Sequence, residues 1–376
     1  MDARPLIPTT HVGSLPRPDS SGPHTSSEGE STVPSASDVD EAVREIVRRQ
    51  VQAGIDIVND GEIGKPSYVG YVTDRLTGFD DETVVGKDFM GMRDLEEFPS
   101  YFRTRFRRLP TAPSVPVCSS AVTYRGHSAV DGDIRRLVMA TDSSGATQAF
   151  VTSASPGIIA LSFPNRFYSS HEQYVAALAE AMREEYEAIA AAGFYLQIDC
   201  PDLAMGRQMV DGSIRDFRRF AEIHITALND ALALIPPERL RMHVCWGNYE
   251  GPHHRDVDLS DVLDIVFRAR PSVLSLESSN PRHGHEWELF QERGLPDEKL
   301  LMPGLIDTTT NFIEHPGLVA QRLRRWVKIV GPERLIASPD CGFSSIANRP
   351  NVDPEIAWAK LRSMSDGVAM INRDAG

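Results

Sequence analysis

The chain has 376 residues, with 39 Lys and Arg against 53 Asp and Glu and a formal net charge of −14. That balance advertises no basic face, which argues against nucleic acid or an anionic membrane surface as partner. No run of about 18 apolar residues is present to span a bilayer, and the length suits one large α/β unit, a single domain over residues 1–376.

In chain order, residues 1–10 lack the charged-then-apolar pattern of a signal peptide, so a cytoplasmic protein is expected. Thr9-Thr10-His11-Val12-Gly13-Ser14 reads as a short strand ending in a Gly-Ser turn, and Pro16 and Pro18 exclude a helix there. Residues 19–37, rich in Ser, Gly, Pro, Thr and Glu, bury too little surface to order firmly and read as a mobile insertion. A helix is expected from Asp38, which caps it with Glu41 three residues on; Val39, Val43, Ile46 and Val47 share a face and Gly54 ends it. Residues 55–62 form a second strand running into a polar tip. The stretch 64–130 is irregular and carries Tyr68, Tyr71, Phe79, Phe89, Phe98, Tyr101, Phe102 and Phe106. It reads as an elaboration between the second and third strands, and periodicity leaves open whether it is a lid, an oligomer contact or packing.

Regular alternation follows. A strand ends at Ser155-Pro156-Gly157, and Ser170 with Gln173 forms a capping box for a helix over 171–192 closed by Gly193. Strands are expected at 195–199, 240–245, 273–277, 301–306 and 335–338, with helices at 213–234, 260–268 and 316–330. Asp353 caps a last helix that has Pro354 at its first position. The eight strand candidates lie near residues 10, 57, 152, 197, 243, 275, 304 and 337. Strands alternating with helices imply a parallel sheet, and eight of them a (β/α)8 TIM barrel.

Polar residues gather where the strands stop, the face on which such barrels carry chemistry: Gly13-Ser14, Gly61-Glu62, Asp199, His243 with Cys245, Glu277, Asp307 and Asp340-Cys341. Residues i and i+2 of a strand face one way, so His243 and Cys245 present an imidazole and a thiolate to one point. An H-x-C pair alone is more often coincidence than ligand. Here, however, Glu277 follows Cys245 by 32 residues and Cys341 follows Glu277 by 64, close to one and two βα steps. The four side chains therefore converge on one barrel mouth, and their thiolate and imidazole groups suit Zn²⁺. Ligands drawn from distant strands favour a catalytic zinc over a closed structural one. Such an ion deprotonates a coordinating thiol and presents a substrate thiol as a nucleophile for alkyl transfer. Two thiolates and a carboxylate weaken its Lewis acidity, which disfavours activation of water.

Other residues have plainer readings. Cys118 reads as a buried thiol, and Cys200, next to Asp199 on a strand, points away from the mouth. Two carboxylates at the mouth, Glu62 and Asp199, can pair with one ammonium, with capping as the ordinary alternative for Glu62. His253, His254, His283 and His285 read as loop histidines ahead of proton donors.

The ordered set Val12-Gly13-Ser14, Asp60-Gly61-Glu62, 197–203, His243-Val244-Cys245, Leu276-Glu277-Ser278, Pro303-Gly304 and Pro339-Asp340-Cys341-Gly342 resembles the catalytic, C-terminal barrel of cobalamin-independent methionine synthases. The resemblance implies His243, Cys245, Glu277 and Cys341 as zinc ligands. It implies Gly13 and Ser14 toward the carboxylate of homocysteine, and Glu62 and Asp199 toward its ammonium. The family's two-barrel enzymes use a methyl-folate, whereas this chain has only the catalytic barrel, and the family's acidic His is replaced near Thr309. The stretches 245–254 and 280–285 resemble the short single-barrel branch, which also holds epoxyalkane:coenzyme M transferases. The resemblance thus implies a zinc-dependent thiol methyltransferase of methionine biosynthesis, acting with a corrinoid or other small methyl donor. The alternatives are a zinc thiol transferase acting on an epoxide, with Arg17 or Arg282 on a sulfonate, and a noncatalytic barrel with structural zinc.

Overall fold

In the computed structural model, parallel strands β1 (Ile57–Val58), β2 (Gln148–Ala154), β3 (Tyr195–Asp199), β4 (Leu240–Val244), β5 (Val273–Leu276) and β6 (Leu300–Pro303) form one sheet in chain order. The structure describes residues 6–17, 35–79, 82–85, 93–105, 114–345 and 351–375. The two strands expected near 10 and 337 form isolated bridges in place of ladders. Thr9 pairs with Ala337 in parallel, and Leu335 and Ser338 pair with Leu301 and Gly304. Ile57 N–H also donates to the Thr9 carbonyl at 3.0 Å. These segments therefore stand between β6 and β1 and complete the curled α/β barrel expected from the sequence.

Alternation along the strands separates two cores. Outward residues such as Val151, Ile198, Met242, Val244 and Leu274 pack under the helices. Inward, Val12, Ile57, Phe150, Val273, Met302 and Ile336 fill the barrel. Arg241 lies in that interior, its guanidinium 3.9 Å over the Phe150 ring and bonded to the His11 carbonyl and Gln197 Oε1, each at 2.9 Å. The interior below the mouth is thus a plugged floor.

Helix α1 (Ala36–Gln52) departs from expectation at its start. Ser35 is the N-cap, and Asp38 is the third helical residue whose carboxylate completes the capping box. Ser35, Ala36 and Ser37, assigned from composition to the insertion, cap and open this helix; the rest of that insertion, 19–34, lies outside the described residues. Helix α2 (His127–Ser144), closed by the left-handed Gly145, precedes β2 and went unrecognised in the sequence. Its apolar positions are interrupted by Asp131, Asp133, Arg135 and Arg136, which weakens the helical period. At α3 (His171–Ala191) Ser170 caps as expected, but Gln173 turns its carbonyl to Ser169 Oγ at 2.7 Å, so no reciprocal box forms. Helix α4 (Ile214–Ala231) has the full box, between Ser213 and Asp216.

The elaboration lies between β1 and β2. It holds short helices, an antiparallel pair Thr83–Val85 with Ser114–Pro116, and α2. The buried carboxylate of Glu185 anchors it to the barrel, accepting from Tyr71 and Tyr124 at 2.9 Å, Arg75 at 2.8 Å and Ser153 at 2.7 Å. Its segment 93–105 packs on the loop after β4: Asp94 accepts from the Tyr249 hydroxyl at 2.7 Å, and Phe102 packs near the same ring. Phe89 and Phe106 lie outside the described residues. Among the described residues no helix is long and apolar enough to cross a membrane.

Candidate active site

Side chains from five strand ends line one pocket at the barrel mouth, a cavity of about 50 Å³ between Val12, Ser14, Glu62, Tyr68, Asp199 and Cys341. His243 and Cys245 also line it. His243 is inward-facing on β4, and Cys245, the first residue past that strand, keeps the same side. Cys341 follows the bridge residue Ser338 across the mouth. One atom from each of His243, Cys245 and Cys341 lies within 4.8 Å of the others.

Each of the three is prepared as a donor. His243 Nδ1 lies 3.1 Å from the hydroxyl of Ser275, its ladder partner on β5. Its Nε2 is buried without a hydrogen-bond partner. Burial above all, with Arg241 beneath, lowers the His243 pKa to about 3, so the ring is neutral with a lone pair available. Cys245 Sγ lies 3.6 Å from Cys341 Sγ and accepts the Gly247 N–H at 3.3 Å. The Cys341 contact and burial push the Cys245 thiol well above its usual range, so a cation would be needed to hold that sulfur as a thiolate. Two sulfurs on a tetrahedral ion with bonds of about 2.3 Å stand roughly 3.8 Å apart. The 3.6 Å separation and the orphaned imidazole nitrogen fit such an ion.

Glu277 stands beside this group but outside the close trio. It is the first residue after β5, and its Oε1 accepts the Trp246 N–H while Oε2 accepts the Asn280 amide, both at 2.8 Å. Burial first, then Cys245, raises its pKa well above the carboxylate range. Asp340 ties this loop to Cys341. Its Oδ1 accepts the N–H groups of Ser278 and Ser279 at 2.8 and 2.9 Å, and its Oδ2 accepts that of Asn280 at 2.8 Å.

Glu62 and Asp199 face each other across the pocket and repel. Burial raises both, and for Asp199 the Glu62 charge comes second. Thr152 Oγ1 donates to Glu62 Oε1 at 2.8 Å and Gln197 Nε2 to Asp199 Oδ1 at 2.9 Å; Lys65 and Arg17 near Glu62, and Lys65 and Arg241 near Asp199, offset the burial only in part. Gly13 makes the approach possible. Its φ is +137°, and a Cβ there would sit 2.6 Å from Glu62 Oε1. The Ser14 carbonyl accepts the Phe343 N–H at 2.8 Å, and a Cβ on Gly342 would meet Ser14 Oγ at 2.1 Å, so the Gly13-Ser14 turn rests against the Cys341 loop.

Several expected groups lie elsewhere. Thr309 is spent on Asp307, donating its N–H and hydroxyl to Oδ1 at 3.0 and 2.8 Å. His283 bridges Glu286 at 2.9 Å and Asp256 at 3.1 Å, and His253 contacts the same Asp256 at 2.8 Å, so both are structural. Arg17 is turned onto the carbonyls of Glu62, Ile63 and Lys65, and Arg282 lies 3.5 Å from Asp258. Cys118 and Cys200 are buried and away from the trio. The lining residues Tyr68, Met205, Asn248 and Ser345 were not singled out in the sequence. Tyr68 carried a signal as an aromatic in the elaboration, and Asn248 as part of the stretch 245–254.

The family described as "Cobalamin-independent synthase, Catalytic domain" matches residues 151–367, more than half of the chain. A methionine synthase from Saccharolobus solfataricus is 25% identical over 385 residues, covering 100% of this chain and 97% of that protein. The uncharacterized protein YxjH of Bacillus subtilis is 26% identical over 370 residues, covering 95% of this chain and 92% of that one. Among solved structures, a B12-independent methionine synthase from Shewanella sp. W3-18-1 in complex with selenomethionine superimposes with a TM-score of 0.73 at 20% identity. That match covers 98% of this chain and 99% of the other, and it shows a shared fold.

Proposed function

The chain belongs to the cobalamin-independent synthase family through its catalytic domain, and on that footing we propose that it is a zinc-dependent transferase methylating a homocysteine-like thiol. The observation that carries this reading is the buried His243, Cys245 and Cys341 trio within 4.8 Å, opening onto the same pocket as Glu62 and Asp199. His243 Nε2 and the two sulfurs would hold the ion, with Glu277 beside Cys245 as the fourth ligand. Zinc bound there supplies a positive centre that keeps a substrate thiol deprotonated at neutral pH.

The protein's own residues do the rest. Glu62 and Asp199 accept the substrate ammonium, whose charge offsets the repulsion between them. Gly13 and Ser14 offer backbone to the carboxylate end. Orientation by these groups puts the thiol against the Cys245 and Cys341 side, and the Arg241 floor closes the barrel below it. The methyl donor is a small molecule, a corrinoid among the candidates, and the protein works in the cytoplasm.

The paired carboxylates Glu62 and Asp199 in the pocket suit a thiol that carries an ammonium, which favours the amino-acid thiol over an epoxide-directed thiol transferase. A purely structural zinc is disfavoured because the trio opens into the pocket.

Two measurements test the proposal. Metal analysis of the wild type should give about one zinc per chain and of Cys245→Ser far less. Equal zinc in the two would sink the metal site. Calorimetry on zinc-loaded protein should show L-homocysteine binding, followed by methyl transfer from methyl-folate or methylcobalamin and no ring opening when epoxides are offered instead. Failure to bind homocysteine would rule out that substrate.

A further inference from the structure

Glu62 occupies left-handed backbone, with φ of 58°, a region sparsely used by residues other than glycine and aspartate-like side chains. Three contacts hold it there. Gly61 N–H donates to Asn59 Oδ1 at 2.7 Å and Glu62 N–H to Asp60 Oδ1 at 3.0 Å. From below, Arg17 clamps the turn through the carbonyls of Glu62, Ile63 and Lys65. The strained turn aims the carboxylate inward, toward Thr152 on β2.

Thr152 then receives and passes on a directed bond. Buried Lys65 donates from Nζ to the Thr152 carbonyl at 2.6 Å and to its hydroxyl at 3.2 Å, lying 4.5 Å over the Tyr71 ring. A hydroxyl has one proton to give. With Lys65 on its lone pair, that proton goes to Glu62 Oε1, 2.8 Å away. Glu62 is therefore held as an acceptor at Oε1, and among the described residues no hydrogen-bond donor meets Oε2.

We propose that Thr152, polarised by Lys65, is a positioning residue that fixes Glu62 as the acceptor for the substrate ammonium. The pocket thereby selects a thiol carrying an ammonium over the same thiol without one. This rests on the homocysteine reading above and adds the device that sets its selectivity. Thr152 itself does not touch the substrate.

The test compares L-homocysteine with 4-mercaptobutanoate, which lacks the amino group, by calorimetry on the zinc-loaded protein. Thr152→Val keeps the shape and removes the hydroxyl. It should weaken homocysteine about tenfold, the scale of one charge-assisted hydrogen bond, and leave 4-mercaptobutanoate within about twofold. Thr152→Ser should behave as wild type. In a Glu62→Gln background, Thr152→Val should have no further effect, which a merely structural role would not produce. Thr152→Ala carries the same expectation should the valine variant misfold, as checked by its melting curve. Equal weakening of both ligands, or additive losses in the Glu62→Gln background, would overturn the proposal, as would homocysteine binding that Thr152→Val leaves unchanged. Absence of homocysteine binding by the wild type would instead refute the substrate assignment.

Discussion

Replacing Gly13 by alanine adds one methyl group at the most crowded point of the mouth. The new Cβ would lie 2.6 Å from Glu62 Oε1 and 2.7 Å from Thr152 Cγ2, at a φ of +137° that alanine avoids. The Glu62 carboxylate is the end of a flexible side chain and can swing aside. Thr152 is fixed in β2 and cannot, so the Gly13 turn must shift against it. Backbone strain of about 1–3 kcal/mol adds to that clash, for a total of roughly 2–4 kcal/mol. Differential scanning calorimetry should show Tm lower by roughly 3–5 °C. Because relief of the clash displaces Glu62, homocysteine affinity should fall more than about tenfold in protein that is still folded at the assay temperature. A variant with Tm within about 1 °C of wild type and unaltered homocysteine affinity would refute the steric account of the site.

Three further outcomes follow from other contacts. Asp340→Asn turns an amide NH₂ toward N–H donors from Ser278, Ser279 or Asn280 that the carboxylate now accepts; urea unfolding should show a loss of about 1–3 kcal/mol, with lower zinc content because the Glu277 and Cys341 loops separate. An unchanged midpoint would exclude Asp340 as the tie between them. Burial works to lower the His283 pKa, but Asp256 and Glu286 prevail and raise it to about 10. Its folded value exceeds the unfolded one, so its stabilisation is complete below about pH 6.5 and is lost as pH rises through about 10. The Tm of the wild type should fall across that window more steeply than that of His283→Gln, and parallel curves would remove this pair from the account. Glu185→Leu leaves the Arg75 guanidinium buried with fewer acceptors and should cost about 3–5 kcal/mol by urea unfolding; a loss under about 1 kcal/mol would mean that the elaboration is anchored elsewhere.

Much of the barrel was legible because its signals are local. Hydrophobic strand runs, glycine after helices, and Ser or Asp caps at Ser170 and Asp353 all depend on neighbours a few residues away. The period of two along β4 likewise puts His243 and Cys245 on one side, whatever the rest of the chain does. Local signals also misled at the first helix, where Asp38 looks like a cap until Ser35 is seen to hold that place.

What only the tertiary structure decided are the relations between residues far apart in sequence. Cys245 and Cys341, 96 positions apart, stand 3.6 Å from each other, while Glu277 is turned onto Trp246 and Asn280. Lys65 reaches Thr152 across 87 positions, and Thr152 reaches Glu62 across 90. The short segments near 10 and 337 count as strands only because they meet each other in closing the barrel. Sequence alone determined which residue types reach the mouth, since alternation along a strand is a property of the backbone. Which of their atoms are satisfied, strained or left open depends on partners supplied by other strands, and those are set by how the sheet curls and closes.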